Sequence, residues 1–382
     1  MQRQNNRGRV GFRFLLVAAL ILPLLTFGVG SAAAAGVSPG VVYTLTNSAS
    51  GNEVVVFDRA ADGTLTPAGS YATDGLGTGS GLGSQGALVL SENNRWLFAV
   101  NAGSDEISVF LVRPDSLILV DKVASGGDQP ISLTVHGRLL YVLNAGGPGN
   151  ITGFSIDRVG NLSPLSGSTR SLSNGGAGAA PGPAQISFSP DGDLLVVTEK
   201  ATNLIDTYTV DEDGLANGPT THASSGATPF GFAFSRRGFL IVSEAFGGAT
   251  NQSALSSYEV DEDEFQVISP SLGTNQTAAC WVVVTRNGRY AYTTNTGSGS
   301  VTGYRVGQDG SLSLLDADGR TGVTGEGSTP IDAALSGNSR YLYVLNAGTH
   351  DIAAFHVQAN GSLVAIDGAG GLPAGAVGLA AR

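Results

Sequence analysis

Short apolar runs recur along the chain between polar interruptions, and after residue 35 none of them keeps the 3.6-residue period of a helix. Seven runs are versions of one another: VVYTLTN (41–47), WLFAVNA (96–102), LYVLNAG (140–146), LLVVTEK (194–200), LIVSEAF (240–246), AYTTNTG (291–297) and LYVLNAG again (342–348). The polar residues that end them are Asn47, Asn101, Asn144, Glu199, Glu244, Asn295 and Asn346, spaced 43–55 residues apart. A repeat of that length is the size of a propeller blade. Each unit has the same grammar: an apolar stretch such as QISF, a turn such as SPDG, the central run, an alternating stretch such as DIAAFHV, a turn such as QANG, and a last short stretch such as SLVAI. That predicts four strands joined by tight turns. The chain therefore reads as all-β, a seven-bladed β-propeller of four-stranded antiparallel blades. The first unit begins at its second strand, while LPAGAVGLAAR (372–382) resembles a first strand with nothing after it. The C-terminal strand is expected to complete blade 1, closing the ring and removing a sheet edge.

The ends and the composition refine this picture. Arg3, Arg7, Arg9 and Arg13 precede the apolar run FLLVAALILPLLTFGVG, and SAAAAG then offers a small-residue cleavage site. Residues 1–35 read as a secretory signal peptide, leaving 36–382 as a single propeller domain, secreted to the medium or the cell envelope. No later stretch is apolar enough to span a membrane. Without the four leader arginines the formal net charge moves from −11 to −15, which disfavours nucleic acid and anionic lipid as partners. Cys280 is the only cysteine, so core packing must hold the fold without an internal disulfide.

Three segments carry a family likeness: QISFSPDGDLLVVTEK (185–200), VVVTRNGRYAYTTNTGSGSVTGYRVGQDGSLSLL (282–315) and SRYLYVLNAGTHDIAAFHVQANGSL (339–363). They resemble the lactonase-type seven-bladed propellers, the family that includes 6-phosphogluconolactonase and carboxymuconate cyclase. The resemblance implies a catalytic set on the rim where first strands start and second strands end: a His opening blade 4, an Arg opening blade 5, a Glu closing its second strand, and an Arg in blade 6. Matched by position, these places hold Ala184, Phe230, Glu244 and Thr296. Only the Glu survives. A general base needs a partner that holds substrate and its developing oxyanion, and both arginines that the resemblance implies for this are replaced.

The rim read from the residues alone agrees. First strands open on small or apolar residues, including Phe230 and Cys280, and most arginines fall at the turns between first and second strands, on the opposite face. Glu199 and Glu244 occupy equivalent places in neighbouring blades and could form a carboxylate pair. The acidic runs VDEDG (210–214) and VDEDEF (260–265) align with turns between third and fourth strands and miss calcium-loop spacing. The glycine-rich stretches 73–85 and 173–183 open no helix and read as flexible rim loops able to shape or cover a pocket. His136 is placed in a tight turn, His222 in a blade-linking loop, His350 in a rim loop and His356 in a strand, with no metal spacing among them. No metal and no cofactor is expected. The favoured reading is a binding propeller that takes a small molecule or a protein at the channel mouth, on a rim formed by Phe230, Cys280, Asn295, Thr296 and Asn346. The alternative is a hydrolase or cycloisomerase for a neutral lactone, with Glu244 as base and Glu199 assisting.

Overall fold

The computed structural model describes Met1, residues 40–262 and residues 264–382. The leader expected over residues 1–35 lies outside them. Seven antiparallel sheets succeed one another along the chain, each ordered from the central channel outward. Blade 4 shows the pattern: Pro183–Phe188 is innermost, followed by Leu194–Glu199, Leu204–Val210 and the outer strand Ala216–Ala223. In blades 3 and 6 the outer edge is broken into two short pieces, Leu162–Pro164 with Arg170–Ser171 and Leu312–Leu314 with Gly322–Val323.

Burial explains the sequence pattern strand by strand. Every residue of the second strands Trp96–Asn101, Leu194–Glu199 and Tyr341–Asn346 is buried, because adjacent blades cover both faces of the sheet there. These strands therefore read as unbroken apolar runs and not as alternation. Outer strands such as Leu65–Ala72 bury their first residue and expose most of the rest. The turn between first and second strands is closed by a hydroxyl. Ser91, Ser189, Thr285 and Ser336 each bond the side chain two residues on and the backbone amide that starts the next strand. This is the physical content of SPDG and its relatives.

Tyrosines key the blades together. Tyr141, Tyr292 and Tyr343 lie fully buried on second strands, and each donates its hydroxyl to a carbonyl in the outer turn of the next blade: Gly214, Gly361 and Gly63 at 2.8, 2.7 and 2.8 Å. Gly63 and Gly361 adopt φ of +92° and +91°, and a Cβ there would stand 2.2 Å from the Tyr341 ring or 2.5 Å from the Tyr290 ring. Only glycine meets both demands.

The C-terminal strand Val377–Ala381 is the innermost strand of blade 1, as the sequence predicts. It pairs antiparallel with Gly40–Leu45, with Tyr43 opposite Ala380 and Val42 opposite Ala381. Two histidine placements differ from the sequence reading, and the first is His136, which ends the strand Pro130–His136 and does not lie in the turn after it. His222 lies inside the outer strand of blade 4 and not in a linking loop, and it stacks on Phe265 of blade 5 at 4.1 Å between ring centroids. The aromatic contact extends that strand beyond the point where its polar composition implies a loop.

Candidate functional site: the channel mouth and its rim

The second strands end at the face where the family's catalytic set is implied, but their terminal side chains turn into the blades. Asn101 donates to Ser108 and accepts from Asn52 and Thr73. Asn295 donates to Ser300 and Thr302, and Asn346 donates to Asp351 at 2.6 Å. Asn295 is 0% and Asn346 1% exposed. These two were expected on the ligand-facing rim, and the structure places them inside instead. At the end of a second strand, the amide N–H groups tie strand two to hydroxyl and carboxylate side chains of strand three.

Glu244 follows the same rule with more force. Its side chain is fully buried, and its carboxylate accepts the Gly226 amide at 2.8 Å and the hydroxyls of Ser256 and Ser271. Burial pushes its pKa up, and those three donors oppose the rise. A Cβ on Gly226 would lie 2.3 Å from the carboxylate, so the absent side chain is what lets the loop close over it.

Glu199 is equally buried and accepts from the Ser173 amide at 3.0 Å and from the Ser173 and Thr202 hydroxyls. It forms no hydrogen bond with Glu244. Its carboxyl neighbour is Asp206, on the third strand of its own blade and absent from the sequence expectations. Burial first, and then contact with Glu199, push the Asp206 carboxyl up to about 8. In blades 2 and 6 the residue seven places after the strand-ending Asn is a hydroxyl that accepts from it, Ser108 or Thr302. Asp206 occupies the corresponding position beside Glu199.

The mouth itself is closed. Phe230, Cys280 and Trp281 form a buried cluster with Ala184 and Ala245 across blades 4 to 6, and the Phe230 and Trp281 rings lie 4.9 Å apart. The segment Gly83–Gln85, at the end of the glycine-rich loop, crosses over this cluster. The Trp281 indole donates to the Ser84 carbonyl at 2.9 Å, and Lys200 donates to the Gly83 carbonyl at 2.6 Å while its ammonium sits 4.7 Å above the Phe230 ring. The Gln85 side-chain amide grips both the N–H and the C=O of Val282, at 3.0 and 2.8 Å. Gln185 does the same to Phe232 in the next blade. A loop expected to be flexible is therefore pinned to three blades. Burial lowers the Lys200 ammonium to about 8 and lifts the Cys280 thiol to about 11, so Cys280 is a poor nucleophile. Among the described residues no group of three His, Cys, Asp or Glu converges as a metal site requires.

Thr296 alone of the expected rim residues borders open space. It is half-buried, donates to the Pro330 carbonyl at 2.8 Å, and edges a groove of about 530 Å³ between blades 5, 6 and 7. Thr277, Ser298, Thr329 and glycine backbone make up most of the wall, and Glu326 is its one charged side chain. The chemistry on offer is neutral hydrogen bonding.

Comparison with known proteins matches this architecture to one family. The model described as Lactonase, 7-bladed beta-propeller matches residues 41–177 and 244–368, more than half of the chain. The stretch between those two segments contains Ala184 and Phe230, two of the three replaced catalytic positions. No curated protein matches the sequence. Among solved structures, a putative 6-phosphogluconolactonase from Bacteroides fragilis is 18% identical with a TM-score of 0.67, over 90% of this chain and 98% of that one. A protein from Lactobacillus plantarum is 20% identical with a TM-score of 0.71, over 90% and 99%. The periplasmic gluconolactonase of Pseudomonas aeruginosa is 18% identical with a TM-score of 0.65, over 88% and 98%. At these identities the structural likeness establishes the fold, and with the family match it makes the chain a member of the lactonase family of seven-bladed β-propellers.

Proposed function

We propose that the protein is a binding propeller that has given up lactone hydrolysis, and that it holds a small neutral ligand in the groove beside Thr296. The observation that carries this reading is the closed mouth. Glu244, the sole survivor of the implied catalytic set, is fully buried inside blade 5 with its carboxylate occupied by three donors, and the mouth beside it is capped by a segment stapled to Trp281 and Val282. A general base must come within hydrogen-bond reach of the proton it removes, and nothing at this position leaves room for a substrate. The adjoining groove supplies hydroxyls and backbone groups with a single carboxylate, which suits an uncharged hydrogen-bonding molecule better than a phosphorylated lactone.

The test is hydrolysis of a panel of neutral and anionic lactones by the purified protein beside Glu244→Gln. Background rates for both are expected. Turnover by the native protein that disappears in Glu244→Gln would restore the hydrolase reading. Saturation-transfer NMR on the same panel examines the groove: signals from neutral lactones are expected with the native protein and not with Thr296→Trp.

A further inference from the structure

The opposite end of the channel is built differently from the capped mouth. There the first strands of blades 4 to 7 line an open chamber of about 440 Å³, with walls that include Phe188, Phe234, Val284 and Leu335. Its inner limit is set by Gln85 and Gln185, whose amides bond the backbones of Val282 and Phe232. Each amide keeps a second N–H, so the chamber sets a polar floor between apolar side-chain walls. The volume is ample for an aromatic ring system or a medium alkyl chain.

Immediately beyond the apolar wall comes positive charge. In blade 5 Phe234 is followed after one residue by Arg236, and in blade 6 Val284 is followed after one residue by Arg286. In blade 7 the same turn carries Arg340, five residues after Leu335. These three arginines border one cleft of about 400 Å³, with Asn287, Asn338 and Tyr290 among its other walls and no carboxylate. None of the three guanidinium groups has an ion pair or a hydrogen bond among the described residues. That is notable in a chain of formal charge −11 with carboxylates in excess. Arg289 and Arg305 flank the Tyr290 ring at 5.6 Å each and add to the local field. Chamber and cleft adjoin along the chain, with Val284 lining the first and Thr285 the second.

From this juxtaposition we propose that the channel end opposite the capped mouth binds an amphiphilic anion, with an aromatic or alkyl body in the Phe188–Phe234–Val284–Leu335 chamber and a carboxylate or sulfonate head on Arg236, Arg286 and Arg340. Guanidinium groups from three successive turns can hold a planar acid by charge-assisted hydrogen bonds. The apolar body supplies the affinity that such exposed groups lack alone. This site is independent of the Thr296 groove and of the fate of Glu244.

Isothermal titration with three probes decides the matter: decanoate, decanol and inorganic sulfate. Decanoate is expected to bind at one per chain, and decanol and sulfate each about tenfold or more weaker, a gap of about 1.4 kcal/mol. The double variant Arg286→Gln/Arg340→Gln alters exposed turns and should leave the fold intact while reducing decanoate to the level of decanol. Val284→Glu, which places a charge in the chamber, should remove binding of both. A control on the same face, Arg95→Gln/Arg138→Gln in blades 2 and 3, should bind decanoate as the native protein does. Equal affinity for decanoate and decanol would overturn the proposal, as would equal loss in the control pair or the absence of saturable decanoate binding.

Discussion

At the scale of single residues, the buried carboxyls hold the most testable physics. Asp206 is pushed up to about 8 in the folded protein, whereas an unfolded aspartate titrates near 4. Below about pH 4 both states carry the proton, and the group costs nothing. As pH rises from about 4 towards 8 the unfolded chain releases that proton and the folded chain keeps it, so stability falls across this window and levels off above it. Replacing Asp206 by Asn should flatten the trend and stabilise the protein at pH 8, by on the order of 2–4 kcal/mol relative to its effect at pH 4. Urea midpoints of native and Asp206→Asn proteins across that range check the prediction; parallel curves would contradict it. Glu244 gives a steric counterpart. Gly226→Ala places a methyl 2.3 Å from the carboxylate, and overpacking of this kind should lower stability by about 1–3 kcal/mol. A denaturation midpoint equal to that of the native protein would show that the loop yields freely.

At the scale of elements, the capping segment Gly83–Gln85 behaves as a strut. Its bonds reach Lys200, Trp281 and Val282, and Gln85 threads between first strands where a side chain on Gly231 would come within 2.3 Å of it. Gln85→Ala removes a two-point grip and should destabilise the protein by about 1–3 kcal/mol, since the Val282 amide and carbonyl lose their partner. Cys280 reports on the same cap. It is 6% exposed with a thiol raised to about 11, so a disulfide reagent at pH 8 should leave it intact in the native protein and modify it faster in Gln85→Ala. Equal labelling rates would show that the strut does not guard the mouth. The contrast between strut and strands explains what the sequence revealed. The blades were legible because each second strand repeats an apolar run between hydroxyl-closed turns, as in Trp96–Asn101 and Tyr341–Asn346. The cap was not, because TDGLGTGSGLGSQ has the composition of a free loop and its partners lie up to 197 residues away. Glu199 was legible as a repeat position, but its partner Asp206 emerges only once strands two and three are set in register. The inward turn of Asn295 and Asn346 depends likewise on hydroxyl and carboxyl partners supplied by the third strand.

At the scale of the whole molecule, the family match and the solved relatives agree on the propeller fold, and the two ends of this ring are built differently. One channel end is capped by aromatic side chains and a stapled loop, and the other carries an open chamber with an arginine-lined cleft nearby. No helix among the described residues is long and apolar enough to cross a membrane. The leader expected at residues 1–35 leads to a further prediction: N-terminal sequencing of the exported protein should begin close to Gly36, and recovery of an intact Met1 terminus from the exported fraction would refute cleavage.

The clasp in blade 1 also fixes when the ring can exist. Thr44 and Val377 are hydrogen-bonded across 333 residues, and Val41 and Arg382 exchange backbone bonds at the outer limit of the same pairing. Translation delivers Val41 before Arg382, so a nascent chain carries a blade 1 that lacks its inner strand until Val377–Ala381 has been made. Until the final residues emerge the chain is an open arc with an unpaired edge at one end, and contacts of such sequence separation form slowly. Timing is thus written into the connectivity: a polypeptide that cannot close early stays threadable, and one that stops a few residues short stays sticky.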